Sequence, residues 1–119
     1  MVWGAIVTGR SRKPARPDWK VIENHDERRI LVADLLSQNP SKVRVNLRKL
    51  QYHGIPEDLA VAAVEHAQID EPDPEQQGWY NARFAAPRGQ ITIVYLFQVI
   101  NHETNLSIFD AVPIGREQY

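Results

Sequence analysis

The 119-residue chain contains no cysteine, which excludes disulfides, thiolate nucleophiles and cysteine-ligated zinc. Its longest apolar run, ITIVYLFQVI, has the length of a strand and includes Gln98, so the sequence predicts no membrane span. No charged region precedes the first apolar stretch, MVWGAIV, which indicates that there is no signal peptide. Together with the missing cysteine, this favours a reducing cytoplasm. The length predicts a single domain over residues 1–119.

Charge of one sign is missing from a long segment. Residues 1–49 contain eleven lysines and arginines and five acidic residues, whereas residues 50–82 contain seven acidic residues and no lysine or arginine. Prolines in both segments predict a basic loop at about 9–18 and an acidic loop at about 69–78. The separation is typical of a polyanion-binding face with an acidic counterpart, or of charges on unrelated solvated faces.

Apolar periodicity predicts three helical segments. In the first, residues 24–40, Asn24 is the expected N-cap, Glu27 occupies the capping-box position and Asn39-Pro40 ends the helix. The second, residues 42–54, places Arg44 and Arg48 on one helical face with Lys49 near its edge. The third covers residues 55–68.

Strand patterns complete an α+β prediction. Two short strands, VWGAIV and WKVIE, flank the basic loop, and an antiparallel meander is predicted over residues 79–86, 90–100 and 106–115. We therefore expect a small antiparallel sheet with two to three helices packed on one face.

Recognisable catalytic motifs are few. The four histidines are scattered and form no helical His-x-x-x-His pair, so the sequence predicts no metal site and no cofactor. Glycine-rich phosphate loops of the G-x-x-x-x-G-K and G-x-G-x-x-G types are absent, and no serine lies in a nucleophile-elbow pattern. Basic and aromatic residues of the C-terminal third are the remaining candidates.

Arginines and a tyrosine of the meander form the candidate site. Adjacent strands would bring Arg83 and Arg116 onto one sheet face, where they could bind a phosphate and stabilise a phosphoryl-transfer transition state. Tyr119 would stack on a base or transfer a proton. Alternatively, the arginines are edge residues with packed stems and Tyr119 is a frayed terminus. Further candidates for nucleic-acid contact are Arg44, Arg48, Lys49, Arg88 and Tyr95.

The segment GWYNARFAAPRGQITIVYLFQVINHETNLSIFDAVPIGREQY resembles the end of RelE/ParE-superfamily toxins. In that family, a strand of the type aromatic-x-(Arg/Lys), a glycine-containing turn, a strand ending in Val-Tyr, and a last strand with a basic residue and then a tyrosine follow one another in this order. Upstream, WKVIE fits the first strand, and DERRILVADLLSQNP and SKVRVNLRKL fit the helical pair. The resemblance covers about residues 19–119.

This resemblance implies a RelE-like fold and the toxin of a bacterial toxin–antitoxin pair. Ribosome-dependent members are metal-independent endoribonucleases that cut messenger RNA through attack of a 2′-hydroxyl, and a cognate antitoxin is the expected partner. Carried over by position, Arg83 and Arg116 stabilise the phosphate, and Tyr119 is the tyrosine near the end. Asn81 and Thr92 stand where many members have basic residues.

A non-enzymatic interaction protein is the alternative. A phage or mobile-element protein, a catalytically degenerate toxin or a toxin with another target, such as a topoisomerase, would share these features. In a non-enzymatic interaction protein, the recognition surface would be the acidic stretch at residues 57–76, because acidic loops mimic nucleic acid toward a basic partner. In that case the residues that matter are Asp70, Glu71, Asp73 and Glu75.

Overall fold

The computed structural model describes residues 19–22, 24–115 and 118–119, and the predicted α+β class is confirmed. The predicted strand VWGAIV, the basic loop at 9–18 and Arg116 lie outside the described residues. The strands are β1 (Trp19–Lys20), β2 (Val43–Val45), β3 (Ile69–Pro72), β4 (Trp79–Ala86), β5 (Gly89–Ile100) and β6 (Glu103–Pro113), and the helices are α1 (His25–Gln38), α2 (Leu47–His53) and α3 (Glu57–His66).

Helix α1 begins and ends as predicted. The side-chain Oδ1 of Asn24 accepts a hydrogen bond from the backbone N–H of Glu27 at 2.9 Å, which confirms the N-cap. Acidic residues in the first turn favour the positive end of the helix dipole. The helix stops at Gln38, just before Asn39-Pro40, since the residue preceding a proline is disfavoured in a helix.

The prediction of a helix over residues 42–54 is wrong in its first half. Val43–Val45 forms strand β2, after a short 3₁₀ helix over Pro40–Lys42, and α2 begins only at Leu47. Two β-branched valines on either side of Arg44 fit a strand of period two. Arg44 and Arg48 therefore do not share a helical face. The helix ends at Gly54, whose positive φ of 72° suits a left-handed cap.

The acidic loop is shorter than predicted. Ile69–Pro72 forms edge strand β3, which pairs antiparallel with β4, and the loop covers only residues 73–78. Sequence periodicity missed this strand because its acidic residues and proline are rare in strands. Pro72 is tolerated there because an edge strand leaves one row of backbone groups unpaired.

Five strands form a mixed sheet in the order β2-β6-β5-β4-β3, and β1 pairs with the end of β5. The β4-β5-β6 meander is confirmed, but the sheet is not purely antiparallel because β2 runs parallel to β6. One face of the sheet carries buried residues at alternate positions, including Ile91, Ile93 and Phe97, and all three helices pack against it.

The opposite side of the sheet, which we call the open face, carries no helix of the described residues. A β-bulge interrupts the pairing of β5 with β6, where the register jumps from Val94 opposite Asp110 to Tyr95 opposite Ile108. Phe109 is the extra residue of this bulge. The open face consists of Arg44, Ile69, Glu71, Trp79, Asn81, Arg83, Thr92, Val94, Leu96, Ser107, Phe109, Asp110 and Val112.

Candidate functional site

Arg83 lies on the open face, in the middle of β4. Tyr80 and Ala82 of the same strand are buried toward the helices, so strand alternation turns the exposed Arg83 to the other side. Its register partners are Ile69 on β3 and Thr92 on β5. Among the described residues, no carboxylate forms an ion pair with Arg83. The guanidinium is therefore available to an anion in solution.

Tyr119 is packed against the described part of the chain. The backbone N–H of Tyr119 donates to the carbonyl of His53 at 2.9 Å, and the side chain is only 7% exposed. The Tyr119 hydroxyl accepts a hydrogen bond from the backbone N–H of Arg88 at 2.9 Å, and the Arg88 guanidinium lies 5.2 Å from the ring centroid. The last residue thus ties the end of α2 to the β4–β5 turn.

The structure separates two members of the predicted site. Tyr119 belongs to the core cluster between sheet and helices, whereas Arg83 lies on the open face. The tyrosine is instead brought together with Arg88, whose side chain is exposed. A packed Tyr119 ring has no free face for stacking on a base. The predicted pairing of Arg83 with Arg116 stays a prediction, because Arg116 is outside the described residues.

Basic residues flank the β2 edge of the sheet on both sides. Arg44 lies on the open face in register with Ser107, while Arg48 and Lys49 are exposed on α2. Residues 40–56 contain no acidic residue, although Lys42 reaches across to Glu103 with an Nζ–Oε1 distance of 3.4 Å. Arg44, Arg48 and Lys49 are thus all accessible to a polyanion, but they do not form one helical stripe.

An acid-rimmed groove lies between α3, the end of α1 and strand β2. Its volume is about 660 Å³, and its apolar lining includes Leu36, Val45 and Val61. Glu57, Asp58 and Glu65 of α3 also line it. Part of the predicted acidic stretch at residues 57–76 therefore borders an apolar surface, a combination that suits a basic and apolar segment of another chain.

A buried polar cluster joins α1 to the sheet. The Arg28 side chain, 1% exposed, forms an ion pair with Asp70, with 3.2 Å between Nη2 and Oδ1. The Tyr95 hydroxyl donates to Asp70 Oδ2 at 2.6 Å, and Arg28 Nε donates to the Tyr95 hydroxyl at 3.3 Å. Arg28 also donates to the carbonyl of Ile22 and lies over the ring of Tyr80, 3.8 Å from its centroid.

Two predicted site residues, Tyr95 and Asp70, belong to this cluster. Tyr95 is fully buried, so the prediction that it contacts nucleic acid is corrected, since no base reaches its ring. Asp70, whose side chain is 4% exposed, is likewise no part of an acidic recognition surface. Asp73 accepts hydrogen bonds from the backbone of Glu75 and Gln76, so it orders its own loop. Of the four predicted acidic residues, Glu71 on β3 and Glu75 in the following loop remain exposed.

The sequence contained an overlooked signal for this cluster. Arg28 precedes the buried residues Val32 and Leu35 by one and two helical turns, which places an arginine on the apolar stripe of α1. A charged residue at a core position requires a buried partner. The partner, Asp70, alternates with the exposed Ile69 and Glu71 on β3, but only the β3–β4 pairing identifies it.

Burial, together with the negative charge of Asp70, raises the pKa of the Tyr95 phenol well above its ordinary value. Burial of the Arg28 guanidinium lowers its pKa, but the neighbouring Tyr95, Asp70 and Tyr80 outweigh this effect and raise the pKa overall. At neutral pH, Arg28 is therefore charged and Tyr95 is neutral.

The raised pKa of Tyr95 predicts a loss of stability in alkali. The folded state keeps the phenol protonated while the unfolded chain releases the proton near its ordinary pKa, so the stabilisation is complete below about pH 10 and decreases above it. Urea unfolding at about pH 9 and about pH 11 should show a larger fall in the free energy of unfolding for the wild type than for Tyr95→Phe, by about 1 kcal/mol. Equal falls would contradict the assignment.

No family model matches the chain, and no curated protein or solved structure matches it. The RelE/ParE resemblance therefore stays a prediction from sequence motifs. No three histidine or acidic side chains within residues 19–22, 24–115 and 118–119 come together as metal ligands. None of the described helices is long and apolar enough to cross a membrane.

Proposed function

We propose that this protein is a RelE-like toxin of a bacterial toxin–antitoxin pair that binds messenger RNA on the ribosome and cleaves it without a metal ion. The observation that supports the proposal is the exposure of Arg44 and Arg83 on the open face, where neither pairs with a carboxylate of the described residues. Arginine binds phosphate through two parallel N–H donors, so two such residues favour an RNA backbone as ligand.

In the proposed reaction, the 2′-hydroxyl of a nucleotide attacks the adjacent phosphate, and the new P–O2′ bond forms as the P–O5′ bond to the next nucleotide breaks. The products are a 2′,3′-cyclic phosphate and a 5′-hydroxyl. The 2′-hydroxyl loses its proton to water, and water returns a proton to the leaving 5′-oxygen. Arg83 and Arg116 stabilise the negative charge that builds on the phosphate oxygens in the transition state. Thr92, in register beside Arg83, contributes a hydroxyl where many members of the family have a basic residue. We assign Tyr119 a positioning role, because its hydroxyl already accepts the N–H of Arg88 and its ring is packed.

Inducing the protein in bacteria tests this proposal. We expect growth arrest with new RNA ends in translated messages, and we expect Arg83→Ala combined with Arg116→Ala to abolish both. Gln90→Ala, an exposed neutral change at the start of β5, is the control and should leave arrest intact. Arg83→Lys should retain part of the activity because it keeps the charge but loses the bidentate geometry. Normal growth at good soluble expression would contradict the proposal.

A second candidate function is that of a protein-interaction module, and the acid-rimmed groove favours it. Its occupant would be an amphipathic helix with apolar residues toward Leu36 and Val61 and basic residues toward Glu57 and Glu65. In the toxin interpretation, the same groove is available to the antitoxin. Val61→Asp should then abolish co-purification with the protein encoded next to this one, whereas Ile30→Asp, at an exposed position of α1, should not.

A further inference from the structure

An aromatic pair stands on the open face. The rings of Trp79 on β4 and Phe109 on β6 meet edge to face, with centroids 5.3 Å apart and planes at 88°. They reach each other across β5, over Leu96, which is the register partner of Trp79. Phe109 is 49% exposed, and it occupies this position because the β-bulge turns an extra residue outward.

Arginines lie on two sides of this pair. Ser107 pairs with both Leu96 and Arg44, so Arg44 lies in the same row of the sheet as Trp79, at the β2 edge. Arg83 lies four residues after Trp79 on the same strand, roughly 13 Å along it at 3.3 Å per residue. Among the described residues, the acidic residues of this face are Glu71 on the β3 edge and Asp110, whose Oδ1 accepts the backbone N–H of Ala111.

We propose that the open face binds single-stranded RNA by stacking bases on Trp79 and Phe109, with Arg83 and Arg44 binding phosphates on either side. Arg44 and Arg83 lie three strand spacings apart across the sheet, roughly 14 Å at 4.8 Å per strand, and are also displaced along it. They therefore cannot hold one phosphate, but an RNA strand that crosses the aromatic pair reaches both. Trp79 is half-buried and Phe109 is exposed. Base stacking on aromatic residues of a sheet needs no particular sequence, since every base has a flat face. The inference rests on the proposed function and deepens it by naming the site that holds the RNA.

The arrangement of arginines around the aromatic pair supports a nucleic acid as the ligand. Arg44 and Arg83 form no ion pair with a carboxylate of the described residues, and both lie beside rings on which a base could stack. Single-stranded RNA supplies phosphates for the arginines and flat bases for the rings. Double-stranded RNA hides its bases inside the helix and would use only the arginines.

Binding of fluorescein-labelled 2′-O-methyl oligouridine tests the proposal, because this probe lacks the attacking hydroxyl and is not cut. We expect Trp79→Leu and Phe109→Leu, which keep an apolar side chain but remove the flat ring, to weaken binding roughly 5- to 150-fold. Tyr52→Ala removes an aromatic side chain that is 69% exposed on α2 and should leave binding unchanged. Arg83→Gln should lower the slope of log affinity against log salt by about 0.7.

These experiments distinguish a failure of the proposed toxin function from a failure of the proposed RNA site. Oligouridine binding that depends on Trp79 and Phe109, in a protein that causes no arrest, would support the open face as an RNA site and contradict the toxin. Arrest with RNA cuts and unchanged oligouridine binding in both leucine variants, shown to be folded by their urea midpoints, would overturn the RNA site alone. A dimer in sedimentation that both leucine variants dissociate, without an effect on oligouridine binding, would place a second copy on this face and also overturn it.

Discussion

Asp70→Ala is expected to destabilise the protein by about 3–5 kcal/mol, because it leaves the buried Arg28 guanidinium without its counter-charge. Arg28 is 1% exposed and held by the Ile22 carbonyl and the Tyr95 hydroxyl, so it cannot turn to solvent without breaking these contacts. The Tyr95 hydroxyl also loses its hydrogen-bond acceptor, which lowers the free energy of unfolding further. Urea unfolding followed by circular dichroism measures the loss.

A double variant that removes both charges separates the effect of the ion pair from that of simple packing. Arg28→Met combined with Asp70→Leu removes both charges, and we expect it to be more stable than Asp70→Ala, since replacing a buried pair by apolar residues is often neutral. Glu71→Ala is the matched control on the adjacent, exposed position of β3 and should change stability by no more than about 0.5 kcal/mol. A loss below about 1 kcal/mol in Asp70→Ala would show that water reaches Arg28.

Tyr119→Ala is expected to cost about 3 kcal/mol, although Tyr119 is the last residue described and most chain ends tolerate truncation. Tyr119 is only 7% exposed, and it contacts both α2 and the β4–β5 turn. Removing the ring therefore opens a cavity between two elements that are far apart in sequence. Thermal and urea unfolding of the purified variant measure the effect.

Tyr119→Phe isolates the hydroxyl. It keeps the packed ring and removes the acceptor of the Arg88 N–H, so we expect a loss of about 1 kcal/mol. Gln118→Ala removes only a hydrogen bond to the Tyr52 carbonyl at an exposed position and should cost less than Tyr119→Ala. Unchanged stability of Tyr119→Ala would mean that the terminus detaches in solution. If Tyr119→Phe keeps its stability but arrest and RNA cuts disappear, the hydroxyl acts in the reaction itself.

These experiments separate structure from function at the terminus. A tyrosine near the end of the chain was predicted from the family resemblance to stack or to transfer a proton, whereas the structure places its ring in the core. Arg83, predicted from the same resemblance, is exposed and unpaired by any described carboxylate, as a phosphate-binding residue requires. The functional proposal therefore depends more on the open face than on the packed terminus.

Local patterns were predicted well where neighbouring residues alone decide the structure. The Asn24 cap, the proline that follows α1, the Gly54 end of α2 and the β4–β5–β6 meander all depend on residues close in sequence. Strand β2 was missed because it is short and is stabilised by a distant partner, β6. Strand β3 pairs with its neighbour in sequence, β4, but its acidic residues and proline give a weak strand signal.

The α+β class, the absence of thiol chemistry and the separation of basic and acidic segments all follow from the amino-acid sequence. The residues that come together in space follow from the strand pairing and the packing of the helices. Asp70 is buried beside Arg28, 42 positions away, and Phe109 meets Trp79 through a bulge that no local pattern indicates. The physical reason is that pairing register sets the face on which each strand residue lies, and register depends on contacts between distant segments.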